Sequence, residues 1–242
     1  MPGAGALLAA VQVLVTVLDG DSGAPVSGLT AESFLSPVRV ESAEVSNLPV
    51  AMLLAVDASA AGGVVKDAAA ALAGQLRPRD RMAVWALGRE AIVGQAFTAE
   101  RSQALMAVSA LEFAGDPHLL DGLAAALDMP FPAEGYRRVV VLVTAGIEGP
   151  NRVQENEVVE KAREKRIAIY PVYLHGSGRW TFPGIAARTG GAAFWLRERR
   201  PAETILETIR SPYLLTLASP AAGLKIKGRE KTFVSSLPLL PE

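Results

Sequence analysis

The chain has no cysteine and only two histidines, His118 and His175, in 242 residues. Disulfides, thiol catalysis and cysteine-based zinc sites are excluded at once. The compartment is left open, because reducing and oxidising locations both tolerate a cysteine-free chain. Neither sign of charge is in excess: 24 Lys and Arg stand against 25 Asp and Glu, a net charge of −1. No global field therefore points to nucleic acid or to an acidic membrane surface. The apolar stretch Ala6–Leu18 is too short to span a bilayer, so no transmembrane segment is expected. It is apolar enough for the core of a signal peptide, yet no Lys or Arg precedes it and no clear small-residue cleavage site follows. Val11, Val13, Val15 and Val17 alternate with Gln12, Leu14 and Thr16, and that period of two reads as a β-strand over residues 8–18. The pairs Gly62-Gly63 and Gly190-Gly191 lack the spacing of a nucleotide-binding loop. No Gly-x-Ser-x-Gly nucleophile elbow occurs either.

Half of the residues are hydrophobic and a fifth are charged, an ordinary globular composition. The length allows one α/β domain of about 150–200 residues and a small extra unit. The first fifty residues suggest that extra unit. Asp19–Gly23 is a turn by composition, Thr30 with Glu32 and Ser33 can cap one helical turn, and Val38–Ala43 is β-rich.

From Val50 the pattern alternates between strand and helix. Val50–Val56 is apolar without a break and stops at Asp57, as expected of a central parallel strand buried on both faces. Asp57 and Ser59 then lie past its carboxyl end, where ligands bind in open α/β sheets. Helices are predicted over 64–76, 99–111, 119–127, 153–166, 182–189 and 201–209. Strands are predicted over 82–87, 91–97, 139–143, 167–174, 192–196, 213–218 and 231–235. Gly88-Arg89-Glu90 is short enough for a hairpin. Glu157 lies four residues before Lys161, a stabilising helical spacing. Pro171 cannot donate to a ladder, which predicts an edge or bulged strand. The expected fold class is α/β: a Rossmann-like, mostly parallel sheet with helices on both faces. A small β unit is expected from residues 1–47 and 211–242, pairing across the 48–210 domain, because neither end alone can bury a face.

Asp57-Ala58-Ser59-Ala60-Ala61 resembles the Asp-x-Ser-x-Ser opening of the metal-ion-dependent adhesion site of von Willebrand factor A domains. Arg79–Val84 looks like that family's second-strand entrance, Leu119–Leu123 like the helix after its threonine-bearing loop, and Val139–Gly146 like its fourth strand. The flanks Val13–Asp19 and Gly23–Phe34 are similar to a bacterial branch first noticed in acidobacteria. The family supplies an Asp and two hydroxyls from one loop, a Thr from a second and an Asp from a third. Here Ala61 stands for the second Ser, Pro117 for the Thr and Ala145 for the last Asp. The resemblance thus implies a degenerate site with Asp57 and Ser59 remaining, and no cofactor. Two ligands are too few for a magnesium-class ion, which takes about six oxygens. A non-standard site for Mg2+ or another divalent cation would need Asp57, Ser59, Asp116 and Glu148 to converge.

The function the resemblance implies is non-catalytic protein binding, in adhesion or assembly. The alternatives are a permanent structural subunit of a larger complex and metal-dependent adhesion through those carboxylates. The interaction candidates are Asp57, His118 and Trp180. A Ser59–His118–Asp57 triad is weighed and set aside for want of an elbow, and His175 reads as a loop residue at a strand end. Arg197–Arg200 reads as a solvated charge run, and Trp85 and Trp195 as core residues. Relatives of this kind suggest an extracytoplasmic or cell-surface location, with a cytoplasmic one open in the absence of a convincing signal peptide. The partner expected is a protein of unknown identity, not nucleic acid.

Overall fold

The computed structural model describes residues 10–132, 135–147, 149–174, 181–195 and 202–239. In chain order, β1 (Val11–Asp19), β2 (Phe34–Leu35) and β3 (Val40–Val45) come first. The single helical turn before β2, Ala31–Ser33, begins at a Thr30 capping box, as the sequence predicts. β4 (Val50–Asp57), α1 (Lys66–Ala73), β5 (Arg81–Leu87), β6 (Ala91–Thr98), α2 (Arg101–Ser109) and α3 (Leu119–Ala126) follow. Then come β7 (Arg137–Thr144), α4 (Glu155–Glu164), β8 (Ile167–Tyr173), α5 (Thr181–Arg188), β9 (Phe194–Trp195) and α6 (Ala202–Arg210). β10 (Tyr213–Leu217), β11 (Lys225–Ile226) and β12 (Thr232–Leu239) complete the order.

The central sheet runs β6-β5-β4-β7-β8-β9. Every pair is parallel except β5–β6. All eight residues of β4 are buried, because alternate side chains point to opposite faces and both faces are covered. Met52, Leu54 and Val56 pack with Leu72 of α1, Val108 of α2 and Ile205 of α6. Leu53 and Ala55 pack on the other side with Leu123 of α3, Val158 of α4 and Phe182 of α5.

The terminal segments pair with each other in a four-stranded sheet, β12-β1-β10-β3. Val11, Val13, Val15 and Val17 face a core of their own with Phe34, Tyr213 and Ile226. Leu18 and Leu237 face the larger core. Thr16, on that same inner face, donates to the Gly190 carbonyl at 3.0 Å, and Ser235 donates to the Gly191 carbonyl at 2.6 Å. The approach is close: a Cβ on Gly190 would sit 2.6 Å from Leu237 Cβ of β12.

Where the chain enters and leaves the central domain, one carboxylate ties both passages. Asp80 Oδ1 accepts the Val50 N–H at 3.0 Å, while Oδ2 accepts Arg210 Nε at 2.9 Å. Nearby Arg137 is buried, and donates to the Ile209 carbonyl at the end of α6 and to the Tyr170 hydroxyl. The carbonyl end of a helix is a favourable place for a cation. Burial holds the Arg137 pKa below the ordinary arginine value, with Tyr170 acting in the opposite direction.

Three sequence expectations need correction. β8 is neither an edge strand nor bulged: it pairs with β7 along its length and with β9 at Val172 and Tyr173. Ile169 directs its N–H to Thr189 Oγ1 at 3.2 Å, on the side away from β7. Pro171, two residues on, turns its nitrogen to the same side before β9 begins, so no ladder bond is missing. Glu157 and Lys161 do not pair with each other. Glu157 instead accepts the Gln154 N–H in a capping box, and Lys161 bonds Asp128 and the Ala124 carbonyl at the end of α3. Capping an orphan N–H outweighs an exposed i,i+4 pair. Finally, β9 (Phe194–Trp195 among the described residues) begins at Phe194, two residues later than the 192–196 expected. Its Trp195 is half-buried and stacks on Tyr173 at 4.4 Å, while Trp85 is buried.

Candidate functional site

The carboxyl ends of β4, β5 and β7 lie together, and Asp57 is at their centre. β4 delivers Asp57 at its last position, fully buried. Asp57 Oδ1 accepts the Ser59 hydroxyl at 2.6 Å and the Ser59 N–H at 3.1 Å. Oδ2 accepts the Thr144 hydroxyl at 2.9 Å and the Ala145 N–H at 3.3 Å. Thr144 arrives at the end of β7, the strand beside β4, and in turn accepts the Gly146 N–H at 3.0 Å. Both carboxylate oxygens are thus committed to two donors each, which is how a buried carboxylate is kept without a neighbouring cation. Gly62 closes the other side: a Cβ there would lie 1.9 Å from the Asp57 carbonyl oxygen and 2.9 Å from Oδ1.

The loops around Asp57 are joined by main-chain bonds. Ala58 N–H reaches the Leu87 carbonyl, Ala114 N–H the Ala58 carbonyl, and Ala60 N–H the Gly115 carbonyl, at 2.7–2.9 Å. A Cβ on Gly149 would sit 1.9 Å from the Pro117 carbonyl oxygen, so the loop after β7 lies directly on the loop before α3. Two side chains fasten that contact. Asn151 Oδ1 accepts the Leu120 N–H at 3.0 Å, satisfying a free donor in the first turn of α3. Asp121 Oδ1 returns the favour to the N–H groups of Arg152 and Val153, both at 2.8 Å. Beside this seam is a cleft of about 970 Å3 lined by Arg89, Glu90, Asp116, His118, Asp121 and Arg152, among others.

No family model matches the chain, and no curated protein matches it. Solved structures do. Proximal thread matrix protein 1 from the mussel byssus, described with a zinc occupied MIDAS motif, is 15% identical over 75% of this chain and 50% of its own, with a TM-score of 0.58. BatB from Bacteroides thetaiotaomicron is 14% identical over 67% of this chain and 100% of its own, with a TM-score of 0.53. A von Willebrand factor type A protein from Catenulispora acidiphila is 16% identical over 85% and 50%, with a TM-score of 0.52. The fold is that of a von Willebrand factor A domain. This chain spans half the length of the mussel and Catenulispora chains it matches.

An A domain is expected to present a metal at this rim. A magnesium-class ion takes about six oxygens in near-octahedral geometry. The described rim offers one buried carboxylate with both oxygens occupied, and the Ser59 and Thr144 hydroxyl protons point at it. Ala145 contributes its N–H, a donor that repels a cation. Among the described residues no group of three or more His, Asp or Glu is placed to hold an ion. The described donors, one carboxylate and two hydroxyls, fall short of the six oxygens such a metal takes.

Of the residues singled out in the sequence, the structure brings Asp57 and Ser59 into direct contact. Asp116 is exposed in the cleft, whereas Asp57 is sealed beneath the loops. His118 begins α3, half-buried, and no hydrogen bond joins it to Ser59, whose proton goes to Asp57. Glu148, His175, Trp180 and Arg197–Arg200 lie outside the described residues. Ser59 makes no side-chain cap on the helical turn that follows; its hydroxyl donates back to Asp57. Three residues escaped the sequence reading: Thr144, Asn151 and Asp121. Thr144 carried one signal, a hydroxyl at the end of an otherwise apolar strand.

Proposed function

We propose that this A domain is a non-catalytic protein-binding module, of the adhesion or assembly type, that works without a metal. The observation that carries the reading is the Asp57 carboxylate, saturated by Ser59, Thr144 and Ala145. With the rim fastened internally, a partner is recognised by the surface of the loops. Val64, on the loop after β4, and Ile147, on the loop after β7, are exposed there at 56% and 52%. Apolar groups at such positions suit contact with another protein surface. The mussel protein is described with zinc in its motif; this chain is read as using the same fold without that ion.

The test is capture of partners from a native extract on the immobilised protein, with chelator or with magnesium. Wild type is expected to capture the same partner under both conditions, and Val64→Glu with Ile147→Glu is expected to lose it. Capture that requires magnesium, or that survives both rim substitutions, overturns the proposal. A permanent structural subunit is the second form of this reading, and light scattering of the native complex separates the two, since such a subunit never runs alone.

A further inference from the structure

Sheet edges carry unpaired main-chain groups, and proteins guard them with charge, proline or brevity. The described edges here are guarded in one of these ways, with one exception. β3 carries Glu41 and Glu44, β12 carries Pro238, and β9 has two residues among those described. β6 is eight residues, Ala91-Ile-Val-Gly-Gln-Ala-Phe-Thr98, with no charge and no proline. No strand lies beyond it among the described residues. Its two exposed apolar side chains sit on opposite faces: Ile92 opposite Ala86 and Val93 opposite Trp85, at 60% and 51% exposure. Met106 of α2, a helix packed on β6, adds a third at 69%.

We propose that β6 is a self-association edge, at which two copies of this chain pair β6 to β6 antiparallel and join their six-stranded sheets into one. A second copy is the occupant that the charges favour. Arg89-Glu90 precedes β6 and Glu100-Arg101 follows it. Antiparallel overlap of β6 with itself brings the Arg89-Glu90 end of one copy beside the Glu100-Arg101 end of the other, twice by symmetry. The strand between is neutral, so nothing repels its own image. β6 is also irregular, with register shifts against β5 between Met82 and Trp85. Such shifts increase twist and guard an edge against flat foreign strands, whereas an identical copy carries the same twist.

The experiment is sedimentation velocity over a concentration series reaching about a hundred times the lowest, paired with amide exchange of Ala91–Thr98. Wild type is expected to pass from the 25.4 kDa chain to twice that mass, with β6 exchange slowing as the dimer forms. Val93→Lys and Ile92→Lys, at exposed positions that leave the fold intact by circular dichroism, are expected to remain monomeric. Val45→Lys on the guarded β3 edge is expected to behave as wild type. A monomer at every concentration overturns the proposal, as does dimerisation of Val93→Lys at the wild-type concentration or exchange in β6 that ignores concentration. The inference is independent of the rim: loss of partner capture by Val64→Glu leaves the dimer unchanged.

Discussion

Replacing Asp57 with alanine removes the acceptor of four buried donors and leaves the donors in place. The Ser59 and Thr144 hydroxyls can rotate to other acceptors, but the Ser59 and Ala145 N–H groups are fixed by the backbone. A buried donor left unpaired costs about 1–3 kcal/mol. Two of them cost roughly 2–6 kcal/mol, partly offset because a desolvated carboxylate is also removed. The expected net loss is about 3 kcal/mol. For a chain of this size that lowers Tm by roughly 6–12 °C. Asp57→Asn keeps one oxygen for two donors and turns its amide toward the other two, so its loss falls between alanine and wild type. Urea unfolding in chelator, followed by circular dichroism, measures all three proteins. The reasoning is refuted if Asp57→Ala lies within about 0.5 kcal/mol of wild type in chelator, the ordinary range of a neutral surface change. That result is what an exposed metal ligand without its metal gives.

Other substitutions probe the same construction. Gly62→Ala forces a Cβ onto the Asp57 carbonyl and is expected to cost about 3 kcal/mol in the same urea assay. Asp80→Ala leaves the Val50 N–H and the Arg210 guanidinium without their partner, with an expected loss of about 3–5 kcal/mol. Asn151→Ala exposes the start of α3 and unfastens the loop after β7; about 1 kcal/mol and faster amide exchange at Leu120 are expected. Asp128 has its pKa lowered by hydrogen bonds from Lys161, then Lys165. A depressed carboxylate stabilises above its unfolded pKa and loses that contribution as pH falls through the folded one. The α3–α4 contact should therefore weaken only below about pH 4, read by carboxylate NMR titration. High salt reduces the effect, because the carboxylate is exposed.

Much of the fold was legible because its signals are local. Val50–Val56 and Val139–Val143 are apolar on both faces, which only a covered central strand permits, and both are central strands. The alternation of Val11, Val13, Val15 and Val17 against Leu14 and Thr16 announced two different faces, and β1 does separate two cores. Pro171 misled because one strand's backbone alternates between its neighbours, and whether a donor is needed on the side its nitrogen faces depends on where β9 begins. The rim was half legible. Ala61, Pro117 and Ala145 revealed what was missing from the resemblance, but not what replaced it. Thr144 reaches Asp57 across 87 residues, and that contact exists only once β7 is set beside β4. Asn151 and Asp121 likewise serve each other's loops, a pairing with no sequence spacing to betray it.

The central claim is that Asp57 is satisfied by protein donors and not by a metal. Isothermal calorimetry of chelator-treated protein with magnesium, manganese and calcium tests it most directly, with Asp57→Ala alongside. The account expects no saturable heat up to millimolar metal for either protein. A saturable heat in wild type that disappears in Asp57→Ala contradicts it.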